Sequence, residues 1–190
     1  MKVVTYSHLR ANLAKIMDQA ADDHDPVIVT RANGKTAVLL SLEDFGSYEE
    51  TRYLNASPAN AKRLDAAIAE AERGEGLVAV EFDEQAGVFR PIAATRQAAE
   101  QLPMAFLTVH FLKDGWADYQ DWQAIDRKLL SKLNRLINET ARTPFTGSGK
   151  PEPLRHDRSG WWSRRITGEH RLVYRVIEDR LEIAQCRYHY

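Results

Sequence analysis

Residues 161–188 hold three β-rich runs, 161–167, 171–177 and 181–188, separated only by Gly168-Glu169-His170 and Glu178-Asp179-Arg180. Three-residue breaks are too short for a parallel crossover, so the runs fold back as an antiparallel meander. A meander has to bury at least one face, and the residues before it supply a cover. Leu130, Leu133, Leu136 and Ile137 recur at helical spacing within 127–142, and residues 116–123 read as a second helix. Pro144 ends the longer helix, and Gly147-Ser148-Gly149-Lys150-Pro151 is a loop. With a strand over 105–112 ahead of them, these elements make residues 104–190 an α+β domain.

Residues 1–76 carry a separate set of signals. Val3-Val4-Thr5 is a short strand, Ser7 a suitable N-cap, and Leu9, Leu13, Ile16, Met17 and Ala20 give the next helix one apolar face. After a break at Asp25-Pro26, β-rich runs at 27–30 and 36–40 flank Arg31-Ala32-Asn33-Gly34-Lys35. Asn33-Gly34 marks a hairpin because both residues tolerate positive φ. Ser41, with Asp44 three residues on, resembles a capping box and starts a helix reaching residue 54. Ser57-Pro58 restarts one, serine as N-cap and proline at the first helical position. That helix carries Leu64, Ala67, Ile68 and Ala71 inward and stops at Gly74. Residues 77–103 read differently: Leu77-Val78-Ala79-Val80-Glu81-Phe82-Asp83-Glu84 mixes apolar residues with carboxylates, and only 95–102 suggests a short helix. Two readings stay open for it, a plain linker or a segment that orders on a basic partner surface.

The net charge of −1 conceals an asymmetry that bears on this choice. Residues 104–190 carry 15 Lys and Arg against 11 Asp and Glu, a net +4; residues 1–103 carry 11 against 16, a net −5. An acidic half joined to a basic half fits mutual attraction, or a basic half whose polyanionic partner the acidic half imitates. Chance also produces a split this small, so it supports a case without making one. The single cysteine, Cys186, excludes an internal disulfide and fits a reducing, cytoplasmic compartment. No apolar run approaches the roughly 20 residues of a membrane helix, and none near the start resembles a leader, so a soluble chain without a membrane partner is expected. Metal-ligand spacing, a phosphate loop and a Ser-His-Asp arrangement are all missing, so no metal or cofactor is expected.

Five stretches of the second domain follow one another in a recognisable order: Arg142-Thr143-Pro144-Phe145, Gly149-Lys150-Pro151-Glu152-Pro153-Leu154, Ser159-Gly160-Trp161-Trp162-Ser163-Arg164-Arg165-Ile166-Thr167, Glu169-His170-Arg171-Leu172-Val173-Tyr174 and Cys186-Arg187-Tyr188-His189-Tyr190. Through them the domain resembles the YoeB toxins of the broader RelE-like group. Tyr6-Ser7, Arg10, Asn12-Leu13, Pro26, Thr30-Arg31, Asn33-Gly34, Ser41-Leu42-Glu43, Glu49-Glu50-Thr51 and Ser57-Pro58-Ala59-Asn60-Ala61 give the first domain a resemblance to the Phd/YefM antitoxins. Such antitoxins and toxins are normally separate chains. Here they are fused, with Met104 standing where a separate toxin would start.

The toxin resemblance implies a RelE-like antiparallel sheet with two helices, and a metal-independent RNA endonuclease that cuts mRNA within the translating ribosome. Cleavage without a metal needs one group to take the 2′-hydroxyl proton, one to neutralise the phosphorane and one to protonate the leaving 5′-oxygen. The resemblance assigns these roles to Glu152, Arg171 and His189, with Lys150, Arg155, Arg165 and Tyr190 binding RNA or supporting. Taken singly, a glutamate between two prolines is ordinarily a solvated loop residue, and a histidine near a chain end a frayed one. Arg164, Arg165 and Arg171 would each pass for solvent-face residues or ion-pair partners. Only the ordered set makes a site. A glutamate is a weak base for a ribose hydroxyl, so much of the acceleration is expected from Arg171, Arg165 and Lys150. Arg171 and His189 are expected to open and close strands of one meander. Trp161 and Trp162 alternate sides, so one is expected in the core and the other free to stack on a base.

The antitoxin resemblance implies a dimer formed through residues 1–76 that binds operator DNA for autorepression. Arg10 on the first helix and Arg31 on the hairpin would make the DNA contacts, with Asn33 and Lys35 as weaker candidates. Residues 73–89 are the expected segment that wraps and blocks the toxin. The chain thus divides into an antitoxin domain (1–76), a flexible neutralising tail and linker (77–103) and a toxin domain (104–190). Its partners are mRNA and the ribosome on one side and operator DNA on the other. The competing reading is a transcriptional autoregulator whose toxin half is a catalytically silent corepressor.

Overall fold

Strand β1 (Lys2–Thr5) pairs in parallel with β2 (Val27–Thr30), which turns back antiparallel to β3 (Ala37–Leu39). The computed structural model describes residues 1–32, 34–92 and 106–190, and this small sheet belongs to the first of two compact units, Met1–Glu49 and Glu50–Tyr190. Asn33, the expected helix at 95–102 and Met104 lie outside the described residues. Helix α1 (Tyr6–Ala11) starts two residues earlier than expected, because Thr5 rather than Ser7 is its N-cap and accepts from the His8 amide. The single helix read from the sequence is broken at Asn12, whose side chain donates to the His8 carbonyl before α2 (Leu13–Asp22) begins. Ile16 and Ala20 of α2 are buried with Val4 and Val27, whereas Leu13 and Met17 are half exposed. A three-stranded sheet covers one stripe of the helix and leaves its neighbour bare. Helix α3 (Leu42–Asn55) begins as expected: the Ser41 hydroxyl accepts the Asp44 amide at 3.0 Å and donates to its carboxylate at 2.6 Å.

The boundary between the units falls inside α3, so its last turns belong to Glu50–Tyr190. There α4 (Pro58–Glu72) has the expected Ser57 cap and Pro58 start. The segment 77–92, for which a linker and an ordering segment were both open, is a hairpin. Strand β4 (Val78–Asp83) turns through Gly87, at φ +67°, into β5 (Val88–Pro91). Asp83 holds the turn by accepting the Gln85 and Ala86 amides. Then follow β6 (Thr108–Phe111), α5 (Lys113–Ile125), α6 (Arg127–Arg142), the two-residue β7 (Glu152–Pro153), β8 (Trp162–Arg165), β9 (Arg171–Ile177) and β10 (Arg180–Gln185). The expected meander β8-β9-β10 is present and antiparallel. Among the described residues it is the middle of a seven-stranded sheet ordered β5-β4-β6-β10-β9-β8-β7, in which β6 joins β10 in parallel and β4 joins β6 antiparallel.

This sheet has two covered faces. On one, α5 and α6 bring Tyr119, Trp122, Leu130, Leu133, Leu136 and Ile137 onto Phe111, Leu172, Tyr174, Leu181 and Ile183. Helix α5 approaches so closely that a Cβ on Gly115 would lie 2.6 Å from the Ile183 carbonyl oxygen. The other face carries Trp161, Val173 and Ala184, packed against Leu54 of α3 and against Leu64, Ala67, Ile68 and Ala71 of α4.

The hairpin is built into the first core. Phe89 is almost wholly buried, edge-on to Phe111 and Tyr119, and its amide donates to the Tyr119 hydroxyl at 2.8 Å. That hydroxyl donates to Asn134, whose amide donates to the Gly87 carbonyl. Phe89→Ala should therefore cost about 3–5 kcal/mol, seen as a lower urea midpoint. An unchanged midpoint would mean that the hairpin contributes nothing to this core.

Candidate active site

Alternation along β9 decides which residues can act. Leu172 and Tyr174 enter the α5–α6 core, so Arg171, Val173 and Arg175 point to the opposite face. Directly paired residues of antiparallel strands share a face. The pairs Glu152↔Ser163, Ser163↔Val173 and Arg165↔Arg171 thus put Glu152, Ser163 and Arg165 on that face as well.

Glu152 is buried, and its carboxylate takes the Lys150 ammonium at 2.8 Å. The loop that delivers both is shaped by the fully buried Arg164. Its guanidinium donates to the carbonyls of Thr143, Thr146 (2.8 Å) and Ser148 (3.0 Å) and lies 3.6 Å from the Glu139 carboxylate, so of the two ordinary readings, solvent face or ion-pair partner, it is the buried partner. Gly149, at φ +79°, lets this loop close on β8: its carbonyl accepts the Arg165 amide at 2.7 Å, and a Cβ there would meet the Arg165 carbonyl oxygen at 3.0 Å.

Arg171 is buried as well. Its Nη1 donates to the carbonyls of Thr167 (3.2 Å), Gly168 (3.2 Å) and His170 (3.3 Å). Its Nε donates to the Glu50 carboxylate, on the same oxygen that Ser163 Oγ reaches at 2.8 Å. The guanidinium lies over the Tyr53 ring, 4.4 Å from its centre. Tyr53 in turn packs on Tyr188 at 4.9 Å, and its hydroxyl donates to the Glu169 carbonyl.

His189 lies beyond β10 rather than on it: the strand ends at Gln185, where the register to β9 shifts. Its Nε2 meets Asp118 Oδ1 at 2.8 Å, and its amide donates to Asn60 at 3.1 Å. Asp118, buried on α5, accepts Arg63 of α4 on that same oxygen (2.9 Å) and the Cys186 and Arg187 amides on the other. His170 sits beside this segment, and burial holds its imidazole below the ordinary histidine value, in keeping with its accepting the Tyr188 amide at 3.3 Å. Each expected catalytic side chain therefore has a charged partner: Glu152 has Lys150, Arg171 has Glu50, and His189 has Asp118. The sheet brings Glu152 and Arg171 to one face, while Tyr53 lies between Arg171 and the terminal segment that bears His189.

Of the supporting residues, Arg165 is exposed opposite Arg171, and the Arg155 amide donates to Thr51 Oγ1. Tyr190 is exposed, and a hydrogen bond to Glu169 pushes its phenol up to about 12. Trp161 is the core member of its pair and Trp162 packs on Phe145 at 4.7 Å. In the first unit Arg10 and Arg31 are both exposed. The pairing Thr5↔Thr30 makes α1 and the β2–β3 connection leave the same end of the sheet. Among the described residues no cluster of three or more His, Cys, Asp or Glu could hold a metal ion, and no helix is long and apolar enough to cross a membrane.

Comparison with known proteins places two families on this chain. Residues 1–74 match the family model for the antitoxin Phd_YefM of type II toxin–antitoxin systems, and residues 111–190 that of the YoeB-like toxin of bacterial type II systems. Toxin YoeB of Escherichia coli K12 is 60% identical over 78 residues, which is 41% of this chain and 93% of that protein. Antitoxin YefM of the same strain is 47% identical over 76 residues, 40% of this chain and 92% of that protein. The chain belongs to both families, an antitoxin joined to a toxin. A solved YoeB–YefM complex from Staphylococcus aureus is also similar, 40% identical across 44% of this chain and 98% of that one, with a TM-score of 0.42.

Several residues that hold the toxin half's site were missed in the sequence. Glu50, Tyr53, Asn60 and Arg63 all come from α3 and α4, and Ser163 and Asp118 from the toxin half. The signal for Glu50 was its spacing: one helical turn before the buried Leu54, it had to share the inward face of α3. Asp118, four before Trp122 and next to Tyr119, lay on the buried stripe of α5 in the same way. Cys186, beside this network, is not part of the chemistry. Its thiol is fully buried, and burial raises it well above the ordinary cysteine value. It should stay unlabelled by an aromatic disulfide reagent at pH 8 until the protein unfolds; rapid labelling of the folded chain would contradict this.

Proposed function

We propose that the toxin half is a metal-independent, ribosome-dependent mRNA endonuclease, silenced in the intact chain by the antitoxin half, which also binds operator DNA. The observation that carries this reading is the common face of Glu152, Arg165 and Arg171, where Glu50 and Tyr53 at the end of α3 meet Arg171. In the released toxin half, Glu152 takes the 2′-hydroxyl proton, Arg171 neutralises the phosphorane and His189 protonates the leaving 5′-oxygen. Lys150, Arg155 and Arg165 hold the RNA backbone, and Tyr190 supports His189. In the intact chain a substrate cannot take up Arg171 and Ser163 without displacing Glu50. Neutralisation would then have two attachments, α3–α4 over the face and the β4–β5 hairpin on the β6 edge, and the second falls within the expected tail at 77–103.

In the antitoxin half, exposed Val3 and Val38, on the sheet face away from α2, offer an apolar surface for a dimer through residues 1–76. Arg10 and Arg31, at one end of the sheet, would serve operator DNA, and a dimer would double that footprint. A cytoplasmic location follows from this reading.

Expression of residues 104–190 should arrest translation and produce cut mRNA ends, while residues 1–190 should do so far more weakly. Glu152→Gln, Arg171→Ala and His189→Gln should each lower cleavage by about 10²-fold or more. Arrest that survives all three substitutions would sink the nuclease assignment. For the DNA-binding half, Arg10→Ala or Arg31→Ala should weaken operator binding by about 1–3 kcal/mol, measured at fixed salt by electrophoretic shift. Undiminished operator binding by both variants would sink that part.

A further inference from the structure

We propose that Ser163 and Arg171 together form a binding site for a phosphodiester oxygen, and that the Glu50 carboxylate occupies it in the intact chain as a stand-in for the scissile phosphate. This deepens the nuclease reading above, which supplies the identity of the ligand. The two donors converge on one oxygen, Glu50 Oε1: the Ser163 hydroxyl at 2.8 Å and the Arg171 Nε–H. Both belong to the sheet, on adjacent strands, and both are buried. The acceptor belongs to a different element, the helix that covers them.

Arg171 does not owe its position to Glu50. Three backbone carbonyls of the β8–β9 connection, at Thr167, Gly168 and His170, hold Nη1. Its Nε–H is thus aimed at a point in front of the sheet, where a hydroxyl arrives from Ser163. A hydroxyl and a guanidinium with no competing acceptor between them suit an oxyanion, carboxylate or phosphate alike. Glu152 pairs directly with Ser163 across β7 and β8, so an anion in this position would sit within a side chain's reach of the proposed base. The covering segment is matched at its other end too. There Arg63 supplies a guanidinium to Asp118 on the oxygen that His189 uses. The cover thus brings a carboxylate to the site's arginine and an arginine to the carboxylate beside its histidine.

Two consequences separate this site from an ordinary buried ion pair. Phosphate-bearing ligands should compete with Glu50 itself, and Ser163 should contribute to binding them although it has no part in the proton transfers. The test uses the full chain and the dinucleotide deoxyuridylyl-3′,5′-adenosine, a phosphodiester that cannot be cut because it lacks the 2′-hydroxyl, with inorganic phosphate as the second probe and calorimetry or ³¹P NMR as the readout. Glu50→Gln keeps the shape of the cover and removes its charge. It should bind the nucleotide at least tenfold more tightly than the unaltered chain, and adding Ser163→Ala should reverse most of that gain. Binding of inorganic phosphate as tight as that of the nucleotide would assign the site to a simple anion and overturn the phosphodiester.

No gain with a folded Glu50→Gln chain, or a gain that Ser163→Ala leaves intact, would overturn the site. Should Glu50→Gln fail to fold, hydrogen exchange of the unaltered chain decides. Millimolar nucleotide should speed exchange of amides 51–55, whereas chloride at equal ionic strength should not; equal rates in both overturn the site. Because nucleotide binding is read without any RNA being cut, a failure of the nuclease assignment would show separately, as intact mRNA.

Discussion

The sheet of residues 50–190 has two faces, and the toxin half's own helices cover only one. With α5 and α6 committed to Leu172, Tyr174, Leu181 and Ile183, every alternate residue of β9 turns toward the side that α5 and α6 leave uncovered. That side mixes apolar Trp161, Val173 and Ala184 with charged Arg171 and Arg175. A functional face has to be such a mixture, since it must be dry enough to strengthen its charges and open enough to receive a substrate. Helix α4 meets both needs of the mixture at once. Its Leu64, Ala67, Ile68 and Ala71 bury the apolar part, and its C-terminal Ala71 carbonyl accepts Arg175 at 2.8 Å, as helix ends favour.

The end of α3 and α4 therefore form the missing layer of an α/β/α arrangement, and the hairpin extends the same sheet sideways. Without its strands β4 and β5, the edge of β6 would present unpaired backbone groups, and Phe111 and Tyr119 would lose an aromatic neighbour. The two attachments differ in kind. The edge attachment is apolar at its centre and saturated with backbone hydrogen bonds, as a folded core is. The face attachment depends on charge matching: Glu50 with Arg171, Arg63 with Asp118, and Arg158 with Asp65. Only one belt of side chains, Leu54 to Ala71, is apolar there.

Much of this was legible in the sequence where period and punctuation agreed. Helix α6 runs over the residues its Leu spacing and Pro144 indicated, α4 has its Ser57 and Pro58 start, and β9 occupies 171–177. The parallel partner β6 was placed as a strand, but nothing local says which neighbour a strand will choose. Residues 78–83 were harder. Their alternation puts Val78, Val80 and Phe82 on one side and Glu81 on the other, which is a half-buried strand, yet the mixed carboxylates left it open between a linker and a segment that orders on a basic partner surface. At the site, family order led to Glu152, Arg171 and His189, and register then put the first two on one face. The residues that pair with them were only partly in reach. Spacing from Leu54 turns Glu50 inward on α3, but its partner Arg171 lies 121 residues away in the chain.

Fusion changes what such a contact has to achieve. Two separate chains must meet the translational and rotational cost of association before an interface closes, which favours large apolar contacts. A cover carried on the same chain has an effective concentration of millimolar order and needs only modest strength to stay shut. It can therefore rely on ion pairs, which contribute little net stability when intact but leave an uncompensated buried charge when one partner is lost. An interface of that kind is weak in total and strict in detail. Loss of the charge on Glu50 or Arg63 would loosen it, and a ligand bringing its own negative charge to Arg171 leaves no charge unpaired on the sheet. A cover made mainly of apolar contacts would offer no such opening, because a phosphate cannot replace a leucine.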